Sequence, residues 1–155
     1  MPKKLALIAS KGTLDWAYPP FILASTAAAL DYEVQIFFTF YGLTLLRKDL
    51  SDLKVSPLGN PAMPMPVPMP NFVQMIPGME SMATLMMKQK IASKGVASIA
   101  DLRAACIESD VKLIACQMTV DLFDFDRADF LEGIDYGGAA TFLAFAGKTD
   151  ICLFI

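Results

Sequence analysis

Histidine is absent from this 155-residue chain, and that gap removes a block of chemistry. There is no Ser-His-Asp triad, no Cys-His nucleophile pair, no imidazole general base and no His-x-x-x-His zinc helix. Positive charge is scarce as well. Lys+Arg 13 against Asp+Glu 16 leaves a net charge of −3, so no basic field holds nucleic-acid phosphates. Charged residues make up 19%, against a usual ~25%. Cysteine is sparse and odd in number: Cys106, Cys116 and Cys152 make no disulfide framework. With no Cys-x-x-Cys, a structural zinc or thioredoxin-type motif is not expected. No Gly-x-x-x-x-Gly-Lys occurs, so Lys11-Gly-Thr13 is not a phosphate loop. Neither a metal nor a cofactor is expected.

What is present is apolar. The hydrophobic fraction is 55% and the mean hydropathy is +0.47. One domain of this length buries a sizeable core. The apolar surplus beyond it points to a partner copy, with a trimer or tetramer expected. The N-terminal run Leu5–Ala9 is too short for a signal peptide and reads as a first strand in a cytoplasmic protein. Residues 55–79 carry no charge, but seven prolines interrupt them, which argues against a membrane span. Within them Met63-Pro-Met-Pro-Val-Pro-Met-Pro70 favours extended backbone. This Met/Pro-rich insertion, at about 55–80, reads as a subunit-contact arm or a cover over the strand ends.

Strands and helices alternate. Strand 1 is Leu5–Ala9. Helix 1 runs from about Asp15 to Leu30, with Pro19 and Pro20 near its first turn or kinking it. Glu33–Phe40 is strand 2, and Gly42–Lys48 a short helix. Ser81–Ala92 is a helix with Met79, Met82, Leu85 and Met86 on one face. Gly95 stops it, and Ser98 with Asp101 opens a helix to about Glu108. Val111–Met118 is strand 3, followed by a turn or helix start at Thr119–Asp121. Phe130–Ile134 is a candidate strand 4. Gly137-Gly138 opens a helix to about Ala146, and Thr149–Ile155 is a final strand. The alternation predicts an α/β fold with a parallel sheet covered on both sides.

Cys116 stands out because it falls at the carboxyl end of strand 3, where reactive groups gather in open parallel sheets. A helix start beside it favours the thiolate. Lys11, after strand 1, sits on the same side of the sheet and offers a second positive field. The competing reading is a buried cysteine acting as a small hydrophobe. Cys106 shares the core-facing stripe of its helix with Ile99 and Leu102; a resolving role for it is open. Cys152, mid-strand between Ile151 and Leu153, reads as core. Asp121, Asp124, Asp126, Asp129, Glu132 and Asp135 form an acidic group that reads as helix caps and a solvated loop rather than a cation site. Gly137-Gly138 suits either an anion or close helix–sheet packing.

Several segments together resemble the DsrE/DsrF/DsrH-like proteins. They are Phe37-Phe-Thr-Phe-Tyr-Gly42, Gly78-Met-Glu-Ser-Met-Ala-Thr-Leu-Met-Met87, Ile114-Ala-Cys-Gln-Met-Thr119 and Tyr136-Gly-Gly-Ala-Ala140. They are most similar to the branch often labelled "peroxiredoxin family", although nothing in the residues demands peroxidase chemistry. The resemblance spans nearly the whole chain. It implies one DsrE-like domain over 1–155, a three-layer α/β/α sandwich on a mostly parallel five-stranded sheet, and a cytoplasmic homo-oligomer. It implies a sulfurtransferase-like sulfur carrier, with Cys116 matching the carrier cysteine and Cys106 similar in placement to a second one. Sulfane sulfur or thiosulfate would be held on Cys116 by thiol exchange. The pocket would be built by the Lys11-Gly12 turn, the Thr119 helix start and Gly137-Gly138. Rhodanese-like and TusA-like proteins are the donors and acceptors the resemblance suggests. Two other readings stand beside it. One is a nucleotide- or small-ligand-binding regulatory module without thiol chemistry. The other is a structural or membrane-docking oligomer subunit.

Overall fold

The structure is a computed structural model that describes residues 1–55, 72 and 75–155. The Met/Pro-rich run therefore lies almost wholly outside the described residues. Five strands, β1 (Lys4–Ala9), β2 (Glu33–Phe38), β3 (Lys112–Cys116), β4 (Asp135–Gly137) and β5 (Ile151–Phe154), form one sheet in the order β4-β3-β2-β1-β5. Every pairing is parallel. Among the described residues five α-helices accompany them: α1 (Leu14–Ala29), α2 (Met79–Ser93), α3 (Ile99–Glu108), α4 (Gln117–Leu122) and α5 (Ala139–Ala146). A 3-10 helix, Phe40–Leu46, follows β2.

The chain steps from β1 to β4 in one direction and then returns to place β5 beyond β1. Right-handed crossovers put helices on one face during the outward steps and on the other for the return. α1 and α3 share the first face, over Leu5, Leu7, Val34, Ile36, Phe38, Leu113 and Ala115. α5 covers the second, where Phe142 packs with Ala6, Phe37, Ile114 and Cys116. Side chains alternate between faces along each strand, so Cys116 is committed to the α5 side.

Helix ends use a device the sequence reading missed. α1, α3 and α4 are each followed by an aspartate in the left-handed region, Asp31 (φ 61), Asp110 (φ 60) and Asp124 (φ 51). At each, the next residue's N–H reaches back to the last turn: Tyr32 to Ala27, Val111 to Cys106, Phe125 to Val120. This is the Schellman closure usually given to glycine, and Gly95 supplies it for α2.

Other departures have physical reasons. Pro19 and Pro20 lie in the second turn of α1, not the first, and the helix runs through them. Strand 4 is Asp135–Gly137, not Phe130–Ile134. Phe130 instead is buried beneath an isolated antiparallel bridge to Arg47. In α2 the inward residues are Ala83 and Thr84, while Met82, Leu85 and Met86 are exposed. Cys152 is exposed rather than core, because β5 is an edge strand whose four residues all face solvent.

Two glycines lock the carboxyl edge of the sheet. A Cβ on Gly42 would stand 2.1 Å from the Ala9 carbonyl oxygen, and one on Gly12 would stand 2.2 Å from the Tyr41 carbonyl oxygen. Backbone cannot yield as a flexible side chain can. Buried Arg103 adds a tie from α3, donating to the carbonyls of Leu45 (2.8 Å) and Arg47 (2.6 Å). Gly42→Ala should therefore destabilise the fold by about 1–3 kcal/mol through overpacking, read as a lowered denaturation midpoint. An unchanged midpoint would show that this edge is not tightly locked.

Candidate functional site

β3 ends at Cys116, and the same residue is the N-cap of α4. Sequence dictates this junction: Leu113–Cys116 is an apolar run suited to a buried strand, and Gln117 onward turns helical. β2 ends beside it, with Phe38 paired to Ala115, so Thr39 emerges next to α4. On the other side Gly137 is the direct register partner of Cys116.

The sulfur sits among donors. Burial alone would raise its pKa. The Thr119 hydroxyl and amide, the Thr39 hydroxyl and the Met118 amide outweigh that penalty, and the net shift is downward. The side chain closes no full capping hydrogen bond, but these dipoles converge on it and favour the anion. Thr119 is the hub. It is 0% exposed, it accepts from the Phe40 N–H at 3.3 Å, and its hydroxyl lies 3.4 Å from that of Thr39. With the Phe40 amide occupying one lone pair, the Thr119 proton is left to serve the sulfur or Thr39.

Cys116 itself is 4% exposed, more covered than a strand-end position suggests. Lys11 does not join the groups that shift it. Its ammonium stands 3.7 Å from the centroid of the Trp16 ring, where cation–π attraction holds it. Gly12 serves the backbone crossing described above, and lines a cavity of about 220 Å³ with Thr13, Thr44 and Arg47. Gly138 caps α5 with open space where a Cβ would be, and Gly137 packs near Thr141. Thus Thr119, Gly137 and Gly138 gather at the Cys116 edge, and Lys11 and Gly12 stand apart from it.

Cys106 lies on the opposite face of the sheet, in the α1–α3 core. It is 0% exposed, its thiol donates to the Phe21 carbonyl at 3.6 Å, and burial pushes its pKa up to about 11. The sheet stands between it and Cys116. Of the acidic residues, Asp126 caps the Ala128 amide and Asp121 accepts from the Gln117 side chain. Among the described residues no His/Cys/Asp/Glu group is arranged to hold a metal. Thr39 is the residue sequence reasoning passed over. Its signal was its place one step past the end of β2, beside β3.

The DsrE/DsrF/DrsH-like family matches residues 1–154. The chain belongs to that family. It is 64% identical over 157 residues to "Sulfur carrier protein DsrE2" of Allochromatium vinosum, covering 99% of this chain and 98% of that protein. It is 34% identical over 164 residues to YrkE of Bacillus subtilis, at 99% and 97% coverage. The crystal structure of the ychN protein from E. coli matches with a TM-score of 0.55 at 10% identity, covering 99% of both chains. That likeness extends the family assignment to the five-stranded α/β fold. Among the described residues no helix is long and apolar enough to cross a membrane.

The three cysteines should separate cleanly by alkylation in this family member. Exposed Cys152 labels readily, and Cys106 stays unlabelled until the chain unfolds. Cys116 labels slowly for lack of access but with a midpoint below the ordinary thiol range. Thr119→Val should raise that midpoint, and leaving the Phe40 amide unpaired should cost about 1–3 kcal/mol. A midpoint that does not move would remove Thr119 from the site. The stability linkage has opposite signs for the two buried thiols. The Cys116 contribution is present above its unfolded pKa and is lost as pH falls through its lowered folded value. The Cys106 contribution is present below its unfolded pKa and is lost as pH rises through about 11.

Proposed function

We propose that this protein is a cytoplasmic sulfur carrier that holds sulfane sulfur or thiosulfate on Cys116 and passes it to an acceptor thiol. The observation that carries this is the convergence of Thr119, Thr39 and Met118 donors on a strand-end cysteine, with its pKa lowered in spite of burial. The 64% identity to a protein named as a sulfur carrier supports it. Loading is thiol exchange. The Cys116 thiolate attacks the outer sulfur of a donor persulfide, RSSH. A Cys116–sulfur bond forms, the donor sulfur–sulfur bond breaks, and the donor leaves as RS⁻. Unloading repeats this with an acceptor thiolate as nucleophile and Cys116 as leaving group. A low-pKa thiol suits both directions, since it is ionised for attack and leaves readily. No general base is required, which agrees with a chain free of histidine.

Thr119, Gly137 and Gly138 shape the pocket in this reading. Lys11 and Gly12 contribute through the loop that braces Thr39 and Phe40. Cys106 is a core residue on the far face. A carrier thiol must remain unpaired, which supports a reducing, cytoplasmic location. Donor and acceptor are rhodanese-like or TusA-like proteins. The assembly is a trimer or tetramer, supported by the exposed Met82, Leu85 and Met86 on α2 and the exposed edge strand β5.

Incubation with thiosulfate, polysulfide or a persulfide donor should add sulfur mass to the intact protein. The adduct should vanish in Cys116→Ser and persist in Cys152→Ser. A wild-type protein that gains no mass from any donor would end the proposal. Light scattering at micromolar concentration should return an oligomer mass; a strict monomer would contradict the assembly.

A further inference from the structure

Beside Cys116 the surface turns aromatic. Phe40 is 43% exposed, Tyr41 67% and Phe123 37%. Tyr41 stacks on Phe123 at 6.0 Å and 17°, and Phe40 meets Phe123 edge-on at 6.0 Å. Met118 and Leu122, one turn apart on α4, are 62% and 59% exposed. Phe40 adopts φ 48, a left-handed conformation that a bulky residue rarely holds and that is strained. That conformation puts its ring in solvent while its amide donates to Thr119. The platform and the Cys116 site therefore share one residue.

The segment that carries Phe123 is acidic, and Arg47 lies over the neighbouring Phe125 ring at 5.5 Å. Residues 117–132 carry five carboxylates, Asp121, Asp124, Asp126, Asp129 and Glu132, all exposed, against Arg127 alone. Elsewhere the other 11 acids face 12 bases, so the chain's net negative charge falls within this segment. Arg127 itself is engaged, bonded to Gln117 and lying over the Tyr136 ring.

We propose that the Phe40–Tyr41–Phe123 platform with its acidic rim is the docking surface for a partner protein whose own sulfur-bearing cysteine is flanked by lysine or arginine. This rests on the carrier reading and names its partner class. Aromatic and methionine side chains at a patch centre with charge at the rim are the anatomy of a protein interface. Free thiosulfate or polysulfide, being anionic, approaches this rim more slowly than a cationic partner does, and an anionic lipid surface is repelled. A sulfur only 4% exposed also favours a partner able to spend binding energy at a distance from the reacting atoms. The exchange is RSSH plus Cys116 thiolate giving Cys116 persulfide plus RS⁻, with no oxidant or reductant consumed.

The test uses the full chain and two synthetic cysteine-persulfide peptides, alike except that one has lysines and the other glutamates around the cysteine. Sulfur gain on Cys116 is followed by intact mass. The lysine peptide should load about tenfold faster at low salt, with the gap closing at high salt. Asp121→Asn/Asp124→Asn/Asp126→Asn should remove the preference, and Tyr41→Ser should slow the lysine peptide several-fold. The pH profile of Cys116 alkylation should stay unchanged in both variants, which separates docking from loss of fold or of thiolate. Equal rates, a faster glutamate peptide, or free thiosulfate outpacing the lysine peptide would overturn the docking surface. So would binding to neutral phosphatidylcholine vesicles that Tyr41→Ser abolishes. If polysulfide loads Cys116 while the peptides do not differ, the surface assignment fails and the carrier reading stands. If no donor loads Cys116, the carrier reading fails and takes this inference with it.

Discussion

The Thr119 hydroxyl holds the site together. It is fully buried, it satisfies the Phe40 amide, it reaches Thr39, and it faces the Cys116 sulfur. Those four residues come from the ends of two adjacent strands and the first turn of one helix. A parallel sheet brings those ends together without a long loop, and the Gly12 and Gly42 crossings prevent them from spreading. The thiolate is thus stabilised by fixed dipoles rather than by a cation. Lys11, the obvious cation in the sequence, is turned onto Trp16.

The sheet also separates the two buried thiols. Cys106 and Cys116 are ten residues apart, yet alternation along β3 and the return from α3 place them on opposite faces. The same side chain meets opposite electrostatics on a helix and at a strand end. Around Cys106 there is one carbonyl acceptor and aliphatic packing, which favours the neutral thiol. Around Cys116 there are hydroxyls and amides that donate. Burial is common to both, and the polarity of the nearest hydrogen-bonding groups decides the sign of the shift.

Much of the fold was legible in the chain. Apolar runs at Leu5, Val34 and Leu113 marked the buried parallel strands, and Ser98 with Asp101 marked a helix start that the structure shows as a 3.1 Å cap. β4 was misplaced because its three residues, Asp135, Tyr136 and Gly137, are too few and too mixed to carry a strand-like pattern. The left-handed aspartates were missed because an aspartate there looks like a surface charge. Cys152 was read as core from its apolar neighbours Ile151 and Leu153, which mark a strand but not whether anything covers it. At the site, Cys116 and Thr119 were visible from the strand-end rule. Thr39 and the depth of the sulfur were not, since both depend on which strand lies next to β3.

The most direct measurement is the ultraviolet thiolate titration of Cys116 in a Cys106→Ala/Cys152→Ser protein, compared with the same chain unfolded. A folded midpoint below the unfolded one is the expected result, and Thr119→Val should bring the two together. A folded midpoint at or above the unfolded one would mean that burial prevails over the donors, and the carrier chemistry would lose its nucleophile.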